Sequence, residues 1–564
     1  MLCGATILAL VTIRPPHEKI AIFGSTFGLL SILAGIYSLD RRDSLVIAPS
    51  MPWLPFTPLL VGIAASLLGL VAPPPAISAF IFAIALTLLF LLSRLISVSR
   101  VHIAFSAVLL AASIGYNVFC YYSLISGIDT WGYLSVASAI VQRGHYFDII
   151  QPVDRYYFPF PILSIDASTL SSVTGLSLEL SLLLSPGILI LLQPLLIFLL
   201  SRLVFGDVEA ASLSALIVVT ESMVTQWISG PIAQSAATSL SLLFLILLFG
   251  RVRSGRHVVA AFVVFLMLVA MHGAVGLVCT AVFAFIVLLE RSPHRRIILP
   301  LVVIYSTYVM ITEVMDRVVQ NAQVTVASIF EWIFTPTLRV GTEFYGAVSN
   351  GLIFIWWGLP VSLALFSTLL EREKRGISWV YTGLGLLGLS FVINVIAPRM
   401  AIDRYGGLTA WLILATTGGK ALRTIAGTRR QLVALVPIIL LVCSSAVVDP
   451  ALSPQYGFYE DDWFPLPMTK LDKTALDWVN RHVVVTPILD IVCASYLIFS
   501  RYRSGTLDPG AIERFDPQQA RARSPTVPGP DYALFVRSST FITRSNVQPY
   551  NIIYNNGKGV IETS

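Results

Sequence analysis

The sequence predicts an α-helical polytopic membrane protein with about 12–15 spans and a small C-terminal α/β domain. Three observations predict this class. Of the 564 residues, 56% are hydrophobic and 12% are charged, whereas a soluble globular chain has about 25% charged residues. Apolar runs of spanning length recur up to Val448, and the composition becomes polar after it. We therefore expect a membrane domain over 1–448 and a separate domain over 449–564.

About 14 apolar runs approach the roughly 20 residues that a helix needs to cross a bilayer. The early runs begin near Ile20, Trp53, Ala76 and His102. The later ones begin near Glu179, Glu209, Ile232, Val258, Ala274, Ile297, Gly351, Ser378, Gly407 and Leu432. The opening MLCGATILALVTI is shorter than a span and has no basic segment before it, so it predicts a partial first helix at most.

Every second linker between these runs is basic, which predicts the orientation of the chain. The basic linkers are DRRD, SRLISVSR, SRLVFGD, RVRSGRH, RSPHRR, EREKR and KALRTIAGTRR. By the positive-inside rule they lie in the cytoplasm. The linkers between them then lie outside: the loop 127–178, the turn at Met271–His272, the loop 314–350, the turn PRMAIDRYGG and the tail.

The distribution of basic residues and cysteines excludes other classes of protein. The net charge of +6 is spread over short clusters between apolar runs, which is unlike a nucleic-acid surface. Four of the five cysteines lie in apolar runs, and the chain has no CxxC pair. The sequence therefore predicts neither a disulfide framework nor a zinc site.

The first long external loop contains the main candidate for a catalytic residue, Asp129. A helix is predicted from Thr130 to Arg143, with Trp131 and Leu134 on an apolar stripe, as in a helix that lies flat at the bilayer interface. Asp129 precedes this helix. One interpretation is an N-cap, because an aspartate there accepts hydrogen bonds from unpaired N–H groups. The other is a catalytic or metal-holding carboxylate at the membrane surface, and the two are compatible.

The second half of this loop is rich in aromatic residues and proline. An interfacial belt explains the tyrosines and phenylalanines of YFDIIQPVDRYYFPFPIL. It explains the polar residues less well, so these are candidates for substrate or metal binding: His145, Asp148, Asp154, Arg155 and Tyr157.

Further candidates lie in or beside the apolar runs, where ionisable groups are costly. Glu221 is predicted two to three turns below the external face, either paired inside the bundle or lining a cavity. His272 either stabilises a helix end or takes part in substrate binding. Arg404 and Tyr405 lie at an external helix start, where a guanidinium gains nothing from the helix dipole. A phosphate ligand would explain Arg404, although pairing with Asp403 is the alternative.

Three stretches together resemble the GT-C glycosyltransferases, multi-span enzymes that take sugars from polyprenyl-phosphate carriers. The first is the acid–helix–turn of GIDTWGYLSVASAIVQRGHYFD with its downstream Phe-Pro. The second is DRYGGLTAWLILATTG from Asp403, and the third is the tail from Asp531. In two respects the chain departs from the family: Thr130 follows Asp129 where many relatives have a second acid, and the Trp-Trp-Asp-Tyr-Gly motif of oligosaccharyltransferases is missing.

The resemblance implies an archaeal-type, multi-pass enzyme of the cell membrane. Asp129 would be its general base, and Arg404 would bind the lipid phosphate. The expected partners are a polyprenyl-phosphate-linked sugar donor, membrane lipids and a glycan, lipid or protein acceptor. A divalent metal ion on Asp129 with Asp148 or Asp154 is an open alternative, and no cofactor follows from the residue spacing. The competing interpretations are a non-catalytic scaffold for glycan assembly and a secondary transporter with two matching halves.

The tail after Val448 has the composition of a small folded domain. MTKLDKTALDWVNRHV predicts a helix, and VVVTPILDIVCASYLIFS predicts a strand, a turn and then a helix or a second strand. Further strands are predicted in DYALFVRSS and YNIIYNNGKGVIE, the last with an Asn-Gly turn. About 115 residues suffice for an α/β domain, and the alternation of linkers predicts that it is extracytoplasmic.

Overall fold

The structure is a computed structural model of the full chain. It describes residues 100–122, 128–144, 160–219, 231–250, 255–312, 374–396 and 408–427, five strands between 486 and 563, and single positions elsewhere. Two compact units are present. The first consists of residues 1–117, 189–228 and 233–458, and the second of residues 118–188, 229–232 and 459–564.

Between residues 100 and 427 the described part of the chain is helical, apart from short turns. Three helices begin the described chain: α1 (Arg100–Tyr122), α2 (Ile128–Arg143) and α3 (Ile162–Thr174). The next five are α4 (Leu178–Leu191), α5 (Gln193–Phe205), α6 (Val208–Val219), α7 (Ala233–Phe249) and α8 (Gly255–Met271). The last four are α9 (Gly273–Glu290), α10 (Ile298–Ile311), α11 (Lys374–Ile396) and α12 (Leu408–Gly427).

By length and composition, three of the described stretches could cross a membrane: Leu178–Phe205, Gly273–Glu290 and His294–Ile311. Shorter apolar helices surround them, among them α6, α7 and α8. The helices α4 and α6–α12 each begin within four residues of a predicted apolar run. The sequence therefore predicted a helical, polytopic membrane protein correctly.

The helix ends follow from local sequence. Gly144, Gly175 and Gly206 take left-handed φ angles of 77°, 73° and 67° and end α2, α3 and α5, because glycine has no Cβ to clash there. Asp207 begins α6: its Oδ1 accepts from the backbone N–H groups of Glu209 and Ala210 at 3.0 and 3.2 Å. This is an N-cap, which satisfies donors that have no partner within the helix.

Helices α5, α6 and α12 meet through small and hydroxyl-bearing residues. Ser201 of α5 and Ser214 of α6 donate to the carbonyl of Thr416 in α12, at 3.1 and 2.9 Å. A Cβ added to Gly419 would overlap the carbonyl of Ala210 and the side chain of Ser214. Small residues of this kind let helix backbones approach closely in a membrane, where hydroxyl hydrogen bonds add to packing.

One end of this three-helix contact carries an ion-pair cluster. The Arg423 guanidinium of α12 lies 2.6 Å from the Asp207 carboxylate and 3.4 Å from that of Glu209. Lys420 lies 3.9 Å from Asp207. The end of α12 is therefore joined to the α5–α6 turn.

Helices α7, α8, α9 and α11 share an aromatic cluster. Phe244 contacts Phe265 and Phe283 with ring centroids 5.4 and 5.8 Å apart. Phe249 contacts the His294 ring at 6.0 Å and the Trp379 ring at 5.7 Å. Edge-to-face and tilted contacts of this kind stabilise by about 0.5–1.5 kcal/mol beyond the burial of area.

These contacts bring together linkers that the sequence assigned to one face. The cluster at Arg423 joins the linkers 201–207 and 420–430. The ring contacts of Phe249 join the ends of α7 and α11 to the 3-10 turn Pro293–Ile297, which are next to the basic linkers 251–257, 291–296 and 371–375. Each of these two groups thus contains linkers that the sequence assigned to the same face, and the alternation itself stays a prediction. Which face is cytoplasmic stays a prediction.

The span Leu178–Phe205 is interrupted in its middle. A turn at Leu192 separates α4 from α5, with Pro186 inside α4 and Pro194 in the first turn of α5. At this interruption the buried Gln193 donates from Nε2 to the Ser235 carbonyl and to Ser239 Oγ, both at 3.1 Å. The amide thus pairs its own buried N–H groups with α7 and links the interruption to that helix.

The tail contributes a five-stranded mixed sheet in the order β2–β1–β3–β5–β4. Its strands are β1 (Thr486–Asp490), β2 (Glu513–Phe515), β3 (Tyr532–Arg537), β4 (Asn551–Asn555) and β5 (Gly559–Thr563). Strand β1 pairs in parallel with β2 and β3, whereas β4 and β5 form an antiparallel pair with a register shift between Ile552 and Tyr554.

Four of these strands lie in the predicted stretches, and β2 was not predicted. The predicted helix at MTKLDKTALDWVNRHV lies outside the described residues. The α/β character of the tail, its boundary at 449 and its extracytoplasmic location therefore stay predictions.

Candidate functional site

Asp129 lies in the first turn of α2, one residue after the helix begins at Ile128. The N-cap interpretation placed it before the helix, and the predicted start at Thr130 is two residues late. The backbone of Asp129 is therefore fixed at the start of a regular helix.

Helix α2 does not lie flat at an interface with one side exposed, as its pattern suggested. Every residue from Thr130 to Ala139 is buried within the protein, and exposure begins at Val141. The Trp131 side chain is completely buried. An interfacial helix exposes one face to lipid or water, so the prediction of a flat interfacial helix is wrong for this stretch.

Helix α3 holds α2 through a long-range hydrogen bond. Ser164 Oγ donates to the backbone carbonyl of Tyr133 at 2.9 Å, and both residues are buried. Tyr133 lies one turn after Asp129, so this bond restrains the part of α2 that follows the candidate base. Sequence reasoning missed Ser164, because a serine in ILSIDASTLSS has no local feature that indicates a partner 31 residues away.

A second carboxylate in the same unit has a structural partner. Ser185 Oγ of α4 donates to Asp166 Oδ2 of α3 at 2.6 Å. Charge-assisted hydrogen bonds between a hydroxyl and a carboxylate are short and strong. Asp166 has no feature in the sequence that distinguishes it from a surface carboxylate. Its bond to Ser185 indicates that it joins α3 to α4.

His272 is the one residue that connects α8 to α9, and it caps α9. Its Nδ1 accepts from the backbone N–H of Val275 at 3.4 Å. Burial lowers the pKa of this imidazole from 6.5 to about 4, against a smaller opposing effect from its backbone hydrogen bond. The ring is therefore neutral at pH 7, which matches the helix-end role and not a cationic contact with phosphate.

The remaining predicted site residues lie outside the described residues: His145, Asp148, Asp154, Arg155, Tyr157, Glu221, Arg404 and Tyr405. Arg404 and Tyr405 come shortly before α12, which begins at Leu408. The predicted meeting of Asp129 with Arg404 stays a prediction. Within the residues that the structure describes, no group of three or more His, Cys, Asp or Glu could hold a metal ion.

The described part of the chain thus defines an α-helical polytopic membrane protein, with a candidate acid at the start of a buried helix. No family model matches the sequence, and no curated protein matches it. Nine solved chains match by structure.

Two of the matching structures come from Archaeoglobus fulgidus. One is an oligosaccharyltransferase tethered with an acceptor peptide, with a TM-score of 0.43 and 14% identity over 71% of this chain. The other is the oligosaccharyltransferase AglB with an inhibitory peptide and a dolichol-phosphate, with a TM-score of 0.42 and 14% identity. The match covers 63% and 64% of these proteins' own lengths.

A third match is ArnT from Cupriavidus metallidurans bound to undecaprenyl phosphate. It has a TM-score of 0.46 and 11% identity, over 82% of this chain and 97% of ArnT. AglB and ArnT are therefore proteins that this chain resembles in structure, at 14% and 11% identity. A likeness of this degree does not assign an activity.

Proposed function

We propose that this chain is a membrane glycosyltransferase that moves a sugar from a polyprenyl-phosphate carrier to an acceptor hydroxyl at the outer face of the membrane. The observation that carries the proposal is the setting of Asp129. It lies in the first turn of a helix whose residues from Thr130 to Ala139 are all buried, and Ser164 restrains that helix one turn further on. A catalytic group is effective when rigid neighbours hold it in position.

The reaction that suits a single positioned carboxylate is an inverting displacement. Asp129 takes the proton from the acceptor hydroxyl while the acceptor oxygen attacks the anomeric carbon of the donor sugar. The bond between that carbon and the phosphate oxygen breaks, and polyprenyl phosphate leaves with the bonding electrons. Phosphate is a good leaving group, so the remaining requirement is to neutralise its charge.

Arg404 is the residue that we assign to the phosphate. Guanidinium binds phosphate oxygens through two parallel hydrogen bonds. Arg404 precedes α12, and the far end of that helix is held by the ion pairs of Arg423 with Asp207 and Glu209. Arg155 is a second cation for the same charge. Tyr405, Tyr157, His145 and Glu221 are assigned to the walls of the substrate site. His272 is assigned the role of an uncharged helix cap.

A metal ion is a secondary proposal for the same carboxylates. Asp129 with Asp148 or Asp154 offers oxygen ligands of the kind that Mg²⁺ and Mn²⁺ prefer. In that case the ion would share the neutralisation of phosphate with Arg404, and Asp129 would divide its role between ligand and base.

The decisive experiment compares Asp129→Asn with Asp166→Asn in the full chain, purified in lipid. Asparagine keeps the shape of aspartate but cannot act as a base, so we expect Asp129→Asn to reduce glycosyl transfer by 10²-fold or more. Asp166→Asn retains an acceptor for Ser185 and should leave transfer within about twofold. Equal transfer by the two variants, with unchanged melting temperatures, would remove Asp129 from the mechanism. No transfer by the folded native chain would favour a non-catalytic scaffold.

A parallel measurement tests Arg404. We expect Arg404→Ala to weaken the binding of the polyprenyl-phosphate donor by about 10-fold or more, since charge-assisted bonds contribute about 1.5–3 kcal/mol. Donor affinity is measured by titration in nanodiscs with the intact lipid-linked sugar. An unaltered affinity contradicts the assignment of the phosphate to Arg404.

A secondary transporter is the second candidate, and one observation favours it. The span Leu178–Phe205 is interrupted at Leu192 with a buried Gln193 at the break, and transporters build midplane sites from discontinuous helices. Transporters of that kind have a matching interrupted helix in the other half of the chain. Sealed vesicles separate the candidates: a transporter moves solute across the bilayer without chemical change, whereas the transferase changes the lipid-linked sugar.

A further inference from the structure

Three exposed arginines lie on the short connection between α9 and α10. Arg291 follows the last residue of α9, and Arg295 and Arg296 lie in the 3-10 turn Pro293–Ile297 that leads into α10. Side-chain contacts hold this connection in an ordered turn. Ser292 Oγ accepts from the N–H of His294 at 3.3 Å, and the His294 ring packs on Phe249. The histidine therefore points inward while the arginines stay at the surface.

Arg291 occupies a backbone conformation that usually belongs to glycine. Its φ is 52°, and the N–H groups of Arg291 and Ser292 close the end of α9 on the carbonyls of Leu288 and Val287 at 3.2 and 3.0 Å. This is a Schellman ending, for which glycine is the preferred residue. Helices α2, α3 and α5 use glycine at the equivalent place. Any residue other than glycine is strained in this left-handed conformation. Arg291 adopts it nonetheless and thereby places a guanidinium directly after the end of α9.

The arginines adjoin apolar helix surface that the protein leaves uncovered. Leu288, in the last turn of α9, is 63% exposed, and Leu299, in the first turn of α10, is 70% exposed. Val303 continues this surface along α10. In a membrane, acyl chains cover such a surface, so a lipid lying along α10 has its headgroup at the level of the arginines.

A fourth arginine, Arg256, lies at the same end of the helices as the α9–α10 connection. Helix α8 packs on α9 and α10, and it begins at the end of the bundle where α9 finishes. The exposed Arg256 lies in its first turn. Glu290 is the one acidic residue between positions 255 and 312, and it is half-buried. The four arginines therefore leave a net positive surface beside uncovered apolar side chains.

We propose that the arginines at this end, Arg256, Arg291, Arg295 and Arg296, bind the headgroup of an anionic phospholipid in the adjacent leaflet. The occupant combines a phosphate-bearing anionic head with acyl chains, which matches cations that border a lipid-facing surface. The proposal depends on the membrane embedding of α9 and α10 and is independent of the transfer reaction.

The test measures retained lipid on the full chain. The protein is reconstituted in phosphatidylcholine with increasing phosphatidylglycerol and then examined by native mass spectrometry for bound phosphatidylglycerol. Each arginine near an anionic surface contributes about 1 kcal/mol, which is about a fivefold change in affinity. We expect Arg295→Gln with Arg296→Gln to reduce phosphatidylglycerol retention by at least tenfold, and Arg202→Gln, an exposed arginine on α5, to leave it unchanged.

Arg291→Gly provides a second variant whose two readouts move in opposite directions. Glycine relieves the left-handed strain, so the melting temperature in pure phosphatidylcholine should stay equal or rise, while phosphatidylglycerol retention falls about fivefold. Undiminished retention in the Arg295/Arg296 double variant overturns the proposal. Displacement of the lipid by millimolar inorganic phosphate also overturns it, because the surface would then be a general anion site. None of these readouts requires glycosyl transfer.

Discussion

Two groups of helices in the first unit are held together by different chemistry. Helices α5, α6 and α12 meet through serine hydroxyls, a glycine contact and ion pairs, and their facing residues are buried. Helices α7, α8 and α9 meet through phenylalanine rings. On α8, α9 and the neighbouring α10, large apolar side chains stay uncovered. Because lipid is as apolar as leucine, only the first group gains partners that lipid cannot supply. The comparison indicates a tightly specified interior beside a lipid-facing layer.

The largest expected effect comes from filling the close contact of the first group. In Gly419→Ala the new Cβ meets backbone of α6, namely the carbonyl of Ala210, and also Ser214. Since backbone cannot yield as a flexible side chain does, we expect a loss of several kcal/mol of stability or failure to fold. Gly385→Ala in α11 is the matched control, because a Cβ there meets nothing within 4 Å. Melting temperatures in detergent measure both, and similar values would show that α6 and α12 are not closely packed.

An intermediate effect is expected at the α8–α9 turn, and it depends on pH. Burial lowers the pKa of His272 to about 4, against 6.5 when exposed. Between these values the unfolded chain binds a proton that the folded chain does not, so stability is full above pH 6.5 and falls as the pH drops toward 4.

His272→Asn isolates this effect, because asparagine also caps helices and does not titrate there. We expect its melting temperature to lose less than that of the native chain between pH 7 and pH 4.5. The difference is read from paired melting curves, and parallel pH profiles would mean that His272 is accessible to protons in the folded state.

The smallest expected effect lies in the ion pairs of the first group. The Arg423 side chain is 44% exposed, and an exposed pair contributes about 0–1 kcal/mol. A double-mutant cycle of Asp207→Asn and Arg423→Gln should therefore give a coupling of about 1 kcal/mol or less, reduced by salt. Asparagine keeps the cap on α6, which separates capping from pairing. A coupling energy well above 1 kcal/mol would show that this ion-pair cluster contributes substantially to the packing of α12 on the α5–α6 turn.

The sequence predicted the features that depend on neighbouring residues and missed those that depend on contacts between residues far apart in the chain. The starts of α6–α12 were found because long apolar runs between charged linkers indicate helices without reference to tertiary contacts. The burial of α2 could not be predicted from the sequence, because Trp131, Leu134 and Ser138 have the same spacing whether lipid or protein surrounds the helix. The bonds Ser164–Tyr133 and Ser185–Asp166 join separate helices and have no local signal.

The candidate site was predictable to a different degree at each residue. Asp129 was found because an acid directly after a long apolar run is unusual, and the structure fixes its backbone at the start of α2. The helix-capping interpretation of His272 followed from its place between two runs, whereas its low pKa requires knowledge of the surrounding packing. Arg291 was not singled out, because an arginine in a basic linker looks ordinary until its φ is known.

The one-residue connection at His272 has a consequence for biogenesis. Helix α8 ends at Met271 and α9 begins at Gly273. The single residue between them allows only a tight turn. Both helices are apolar, so a helix left outside the bilayer would expose its apolar side chains to water beside its inserted neighbour. We therefore expect the ribosome-bound chain to deliver α8 and α9 to the insertion machinery as a single hairpin.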